Sequence, residues 1–163
     1  MKYRSAFLIP LAALGFGAGD ANAARALRNE LLARPPAAAG QPAMSGLALE
    51  ACLRRADQLD VTGVTVDMEV SDIDRMAAEG MFLQRQIDAE LPMVGDYDEN
   101  ALNAFQRQVI RHEEISKKFK IDFPAYQEHQ QAYNDAVVEF ERDCFGNFTA
   151  SDLDAVKARL GIK

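Results

Sequence analysis

Tryptophan is absent from this chain, histidine and cysteine occur twice each, and there are only 6 prolines and 10 glycines in 163 residues. So little proline and glycine excludes collagen-like and low-complexity classes. No run reaches the roughly 18 apolar residues of a membrane-spanning helix, so no integral span is expected once the N-terminal segment is removed. Strand-like alternation of apolar and polar residues persists nowhere, which argues against a sheet. Motifs that fix a reaction are missing as well. There is no Gly-x-Ser-x-Gly elbow, and His112-Glu113-Glu114-Ile115-Ser116 has serine where a zinc-protease helix places its second histidine. Asp96, Asp98 and Asn100 have the opening spacing of a calcium loop, but Ala101 and Arg107 stand where that loop requires glycine and glutamate. The chain therefore reads as non-enzymatic, with no catalytic residue and no cofactor expected.

What is present begins with an export signal. Lys2 and Arg4 precede an apolar stretch over 6–19, and Ala21-Asn22-Ala23 has the small-x-small form that a signal peptidase cuts after. Residues 1–23 are read as a secretory signal cleaved after Ala23, which places the protein in the periplasm or outside the cell. In such a compartment the two cysteines, Cys52 and Cys144, are expected to form one intramolecular disulfide.

Charge separates the segments. The whole chain carries 18 Lys and Arg against 25 Asp and Glu, net −7. Residues 24–46 hold three arginines against one glutamate, and Pro35-Pro36 and Pro42 interrupt them. This stretch is expected to be a flexible leader, although its first part, Ala24 to Arg34, has the composition of a short helix. Residues 47–163 hold 13 basic against 23 acidic side chains, which disfavours nucleic acid and anionic membranes as partners.

From Leu47 onward the pattern is helical. Steps of three and four residues from Leu49 to Val94 meet fourteen positions, eleven of them apolar, and a second ladder from Leu102 to Cys144 meets thirteen, ten of them apolar or aromatic. Seams of this length mark helices that pack side by side in coiled-coil fashion. Between them, Pro92 to Asn100 contains a proline, a glycine and an Asp96-x-x-Glu99 spacing suited to a capping box, so the chain is expected to reverse there. If Cys52 bonds Cys144, the numbers of facing residues add up to 196, and the centre of the hairpin falls at residue 98, inside the reversal. That register puts Ala56 opposite Phe140, Gly63 opposite Tyr133 and Ala77 opposite Phe119, small against large, with Gln84 opposite His112 as a polar pair.

Two weak points leave an alternative. Val61 to Val66 is β-branched around Gly63, and Pro124 interrupts the second ladder. Breaks at both would turn an antiparallel helical hairpin over 47–146 into a compact bundle with the same disulfide. Because the heptad phase is kept across both points, the hairpin is favoured. A short helix carrying Leu153, Val156 and Leu160 is expected within 147–163, packed across the disulfide end.

Two surfaces carry the functional expectations. Met76, Met81, Phe82 and Leu83 make one stretch apolar nearly all round and form the candidate partner surface. Asp67, Asp74, Asp122 and His129 lie level in the 196 register and form a candidate divalent-metal site. The leading expectation is an exported interaction module of adaptor or immunity type. It would bind another exported protein, a cationic one by charge, or a second copy of itself. The alternatives are a holdase chaperone for exported clients and a metal-responsive sensor using the acidic face.

Overall fold

The computed structural model describes residues 21–38 and 43–162. These form four α-helices and no strand: α1 (Ala21–Ala33), α2 (Gly46–Glu90), α3 (Glu99–Cys144) and α4 (Ala150–Leu160), with a 3₁₀ turn, Leu91–Asp96, between α2 and α3. Residues 1–20 of the expected export signal lie outside the described residues, and the expected cleavage after Ala23 falls within the first turn of α1.

Helices α2 and α3 are an antiparallel hairpin. Each is unbroken, α2 through Gly63 and α3 through Pro124, so the compact-bundle alternative is not the one adopted. At 1.5 Å per residue each arm is about 65–70 Å long. Their buried residues follow the three-four ladders: Leu49, Cys52, Ala56, Leu59, Gly63, Val66, Ile73, Ala77 and Gly80 from α2, and Phe105, Tyr126, Tyr133, Phe140 and Cys144 from α3. A continuous apolar seam compensates for the poor helix propensity of the Val61 to Val66 run, because tertiary packing outweighs intrinsic preference. Thr62 and Thr65 also turn their hydroxyls back to the carbonyls of Gln58 and Val61, satisfying themselves within the helix.

The disulfide Cys52–Cys144 joins the start of α2 to the end of α3, with the Cα atoms 5.5 Å apart. Ion pairs across the hairpin fall within a few residues of the expected register: Arg55 with Glu139 at 2.8 Å, Arg111 with Glu79 at 2.9 Å, and His129 Nδ1 with Glu69 at 2.9 Å. Gln84, expected to face His112, donates instead to Asp88 on its own helix at 2.8 Å. The reversal is also built differently from expectation. Asp98, rather than Asp96, caps α3, its carboxylate accepting from the Ala101 N–H at 2.8 Å. The 3₁₀ turn consumes Asp96 and so moves the first helical residue to Glu99. Tyr97 closes this end, its ring edge-on to Phe105 and its hydroxyl donating to Glu90 at 3.3 Å.

The leader is where the fold departs most from the sequence reading. Ala24 to Arg34, expected to be part of a flexible segment, belongs to α1, which runs antiparallel along the first turns of α2. Leu27 and Leu31 are buried in the core, Arg28 pairs with Asp57 at 2.9 Å, and Arg25 pairs with Asp60 at 3.4 Å. Past Pro35-Pro36, the Ala37 N–H donates to the Phe148 carbonyl at 2.8 Å and the Met44 N–H to the Asn147 carbonyl at 2.7 Å. The prolines therefore end α1 without releasing the chain that follows. Arg34 completes the clasp: it donates to the Phe145 carbonyl at 2.6 Å, and its guanidinium lies 4.2 Å from the centre of the Phe145 ring.

Helix α4 closes the same end, capped by Thr149 and ended by Gly161, whose φ of 66° lies in the left-handed region. Leu153 and Val156 are buried, and Arg159 reaches Glu50 at 3.1 Å. The molecule is thus a base, built from α1, α4 and the disulfide-joined ends of α2 and α3, with a two-helix arm projecting from it.

Candidate functional site

The arm is the part of the molecule with the most unassigned surface. Between Asp57 and Glu90, α2 carries nine carboxylates and only Arg75 and Arg85 as basic side chains. Large apolar residues stand exposed among them: Val61, Val64, Met68 and Phe82 on α2, with Ile110, Ile121 and Val138 on α3. Met68 is 67% exposed and Ile121 72%, values far from the burial that a folding role alone would produce.

The structure divides the expected partner surface. Met76 and Leu83 are buried in the hairpin core, Met81 is half-buried, and Phe82 alone is fully outward at 55% exposure. The seam is wider than a strict two-position heptad. Met76 and Leu83 flank Ala77 and Gly80, whose small side chains leave room for them to fold inward. Sequence reasoning identified a helix that is apolar nearly all round, yet it could not say which of those residues the partner helix already covers. It also missed Val61, Val64 and Met68, whose spacing from Phe82 carried a readable signal.

Asp67, Asp74, Asp122 and His129 are not brought together. Asp67 and Glu69 are two residues apart and so lie on opposite flanks of α2. Only one of them can face His129, and it is Glu69, whose two oxygens lie 2.9 and 3.1 Å from Nδ1. Asp122 pairs with Lys118 one turn earlier on α3. Among the described residues no group of three or more His, Cys, Asp or Glu side chains is placed to hold a metal ion.

Midway along the arm a groove of about 240 Å³ opens between the helices. Ile73, Met76 and Tyr126 form its floor, and Glu69, Asp72 and Asp122 stand at its rim. Tyr126 is 2% exposed. Burial pushes its phenol above the ordinary value, and the nearby charges of Asp74, Asp67 and Glu69 push it further in the same direction. The groove thus joins an apolar floor to a negative rim, a combination suited to a positively charged group on an apolar stem.

The fold and surface together define a disulfide-closed helical hairpin with a clasped base and an acidic, partly apolar arm. No protein-family model matches the chain, and neither a curated protein nor a solved structure does.

Proposed function

We propose that this protein is a non-enzymatic, exported interaction module whose arm engages one other exported protein. The observation that carries this reading is the set of apolar side chains held outward on the arm, Val61, Met68, Phe82, Ile110 and Ile121, within a field of carboxylates. Isolated exposed apolar residues are ordinary on any protein. Several along two adjacent helices, on an arm already closed by its own seam, supply the desolvated anchors that protein interfaces use. The negative field favours a cationic partner and speeds its arrival. Helices anchored by a disulfide and clasped at one end present these residues with little ordering cost on binding.

The test is a photo-crosslinking residue at position 82, expressed in full-length protein in its native compartment. One dominant adduct of defined mass, absent when the crosslinker sits on α4 at position 154, is the expected result. A broad ladder of exported clients would replace this reading with the holdase one. No adduct at either position would overturn it.

A further inference from the structure

The exposed apolar residues of α2 form a second heptad ladder of their own. Val61, Val64, Met68, Ser71, Arg75, Ala78 and Phe82 succeed one another at steps of three and four, on the side of α2 turned away from α3. The first three and the last are 69%, 44%, 67% and 55% exposed, and a shallow depression of about 370 Å³ lies against Val64, Met68 and Ser71. The positions bordering this ladder are also regular. On one side Asp60, Asp67, Asp74 and Asp88 recur at multiples of seven residues, and on the other Asp72 and Glu79 are seven apart. These are the flanking positions that in a coiled coil set the choice of partner.

The geometry points to the outward face of α2, from Val61 to Phe82, as a docking site for a helix of another protein that carries an apolar seam flanked by lysine or arginine. This deepens the interaction reading above and rests on it. Charge selects the occupant. A second copy of this chain laid on the same face would set one row of aspartates against another, and like charges at flanking positions oppose pairing. A helix with basic flanks meets Asp72, Asp74 and Glu79 with opposite sign and covers Val61, Met68 and Phe82 with its seam. Arg75 lies inside the ladder, where its stem can be covered while its head reaches Asp72, with which it already pairs at 2.8 Å.

The experiment uses two synthetic four-heptad helices with identical leucine and isoleucine seams, one with lysine and one with glutamate at the flanking positions. Binding to the mature protein is read by fluorescence anisotropy at low and high salt. The lysine helix is expected to bind at least tenfold more tightly than the glutamate helix, with the advantage shrinking at high salt. Met68→Ser with Phe82→Ser should weaken the lysine helix at least tenfold. Asp72→Asn with Asp74→Asn should remove most of the salt dependence. Ile110→Ser with Ile121→Ser, on α3, should leave binding within twofold, and circular dichroism confirms that each variant keeps its helices.

Equal binding of the two helices, or an equal loss from the α3 variant, would overturn the proposal. So would a wild-type dimer in analytical ultracentrifugation that Met68→Ser with Phe82→Ser converts to monomer. The broader reading fails separately. A single native adduct retained by the Met68→Ser, Phe82→Ser chain would sink this face and leave an interaction module standing, whereas loss of both peptide binding and native adduct formation would remove both.

Discussion

Phe140 has no exposed surface and stands on the register opposite Ala56, itself fully buried. Phe140→Ala is expected to cost about 3–5 kcal/mol, read as a lower urea midpoint, because the small residue across the seam cannot expand into the space left behind. Arg34 contributes differently, through one hydrogen bond to a carbonyl and one ring contact. Arg34→Ala should cost about 1–3 kcal/mol in the same measurement. Tyr126 sets an alkaline limit. Its folded pKa is raised above the ordinary 10.0 by burial and then by Asp74, Asp67 and Glu69. The stability it contributes is complete below the unfolded value and is lost as pH rises through the folded one, since the unfolded chain releases the proton first. Tyr126→Phe should therefore move the alkaline unfolding midpoint to higher pH. Glu50 and Asp143 act at the other end of the scale. Glu50 is held below the usual carboxylate range chiefly by its hydrogen bond from Arg54, and Asp143 chiefly by that from Arg142. Their contribution is present above that range and fades as pH falls through it.

Among the elements, α2 and α3 were legible in the sequence, and α1 was not. The long ladders and the cysteine pairing constrain one another, so a register derived from Cys52 and Cys144 also places Ala56, Gly63 and Ala77 against aromatic side chains. Helix α1 offers only Leu27 and Leu31 as an apolar stripe and is followed by two prolines, a pattern that reads as a tether until Phe145 and Phe148 are seen to receive it. Leu31, with no exposed surface, decides the matter experimentally. Leu31→Ala should lower stability by about 2–5 kcal/mol, whereas a free leader would show no change. The outward ladder on α2 was legible in principle, but the stronger seam masked it, and the four-residue cluster that was chosen mixes inward Met76 and Leu83 with outward Phe82. Pro124 is a further element-scale feature, an exposed proline that α3 carries through its interior at the cost of one helical hydrogen bond. Pro124→Ala should raise the urea midpoint, by about 1–3 kcal/mol on helix propensity.

At the scale of the whole molecule the arm dominates the shape. A compact chain of about 140 residues has a radius of gyration of about 14–15 Å, whereas an arm of about 65–70 Å requires a value near 20 Å. Small-angle scattering of the mature protein should return the larger number, and a value near the smaller would mean that the arm folds back in solution. The 92-residue separation of the two cysteines makes their bond the largest single staple, worth about 4 kcal/mol in the chain-entropy treatment, and Cys52→Ser with Cys144→Ser should show most of that loss.

The same bond has a mechanical consequence. With α1 on one side of it and α4 on the other, any pull between the two ends of the chain passes from residue 52 to residue 144 through sulfur and bypasses the arm altogether. In a force-extension experiment the oxidised protein should yield only the length stored in its base. Reduction should release a further stretch of about 300 Å, at roughly 3.3–3.6 Å per extended residue. The arm is thus shielded from tension on its own backbone, and whatever grips its outer face would work against a lever that the rest of the chain cannot unravel.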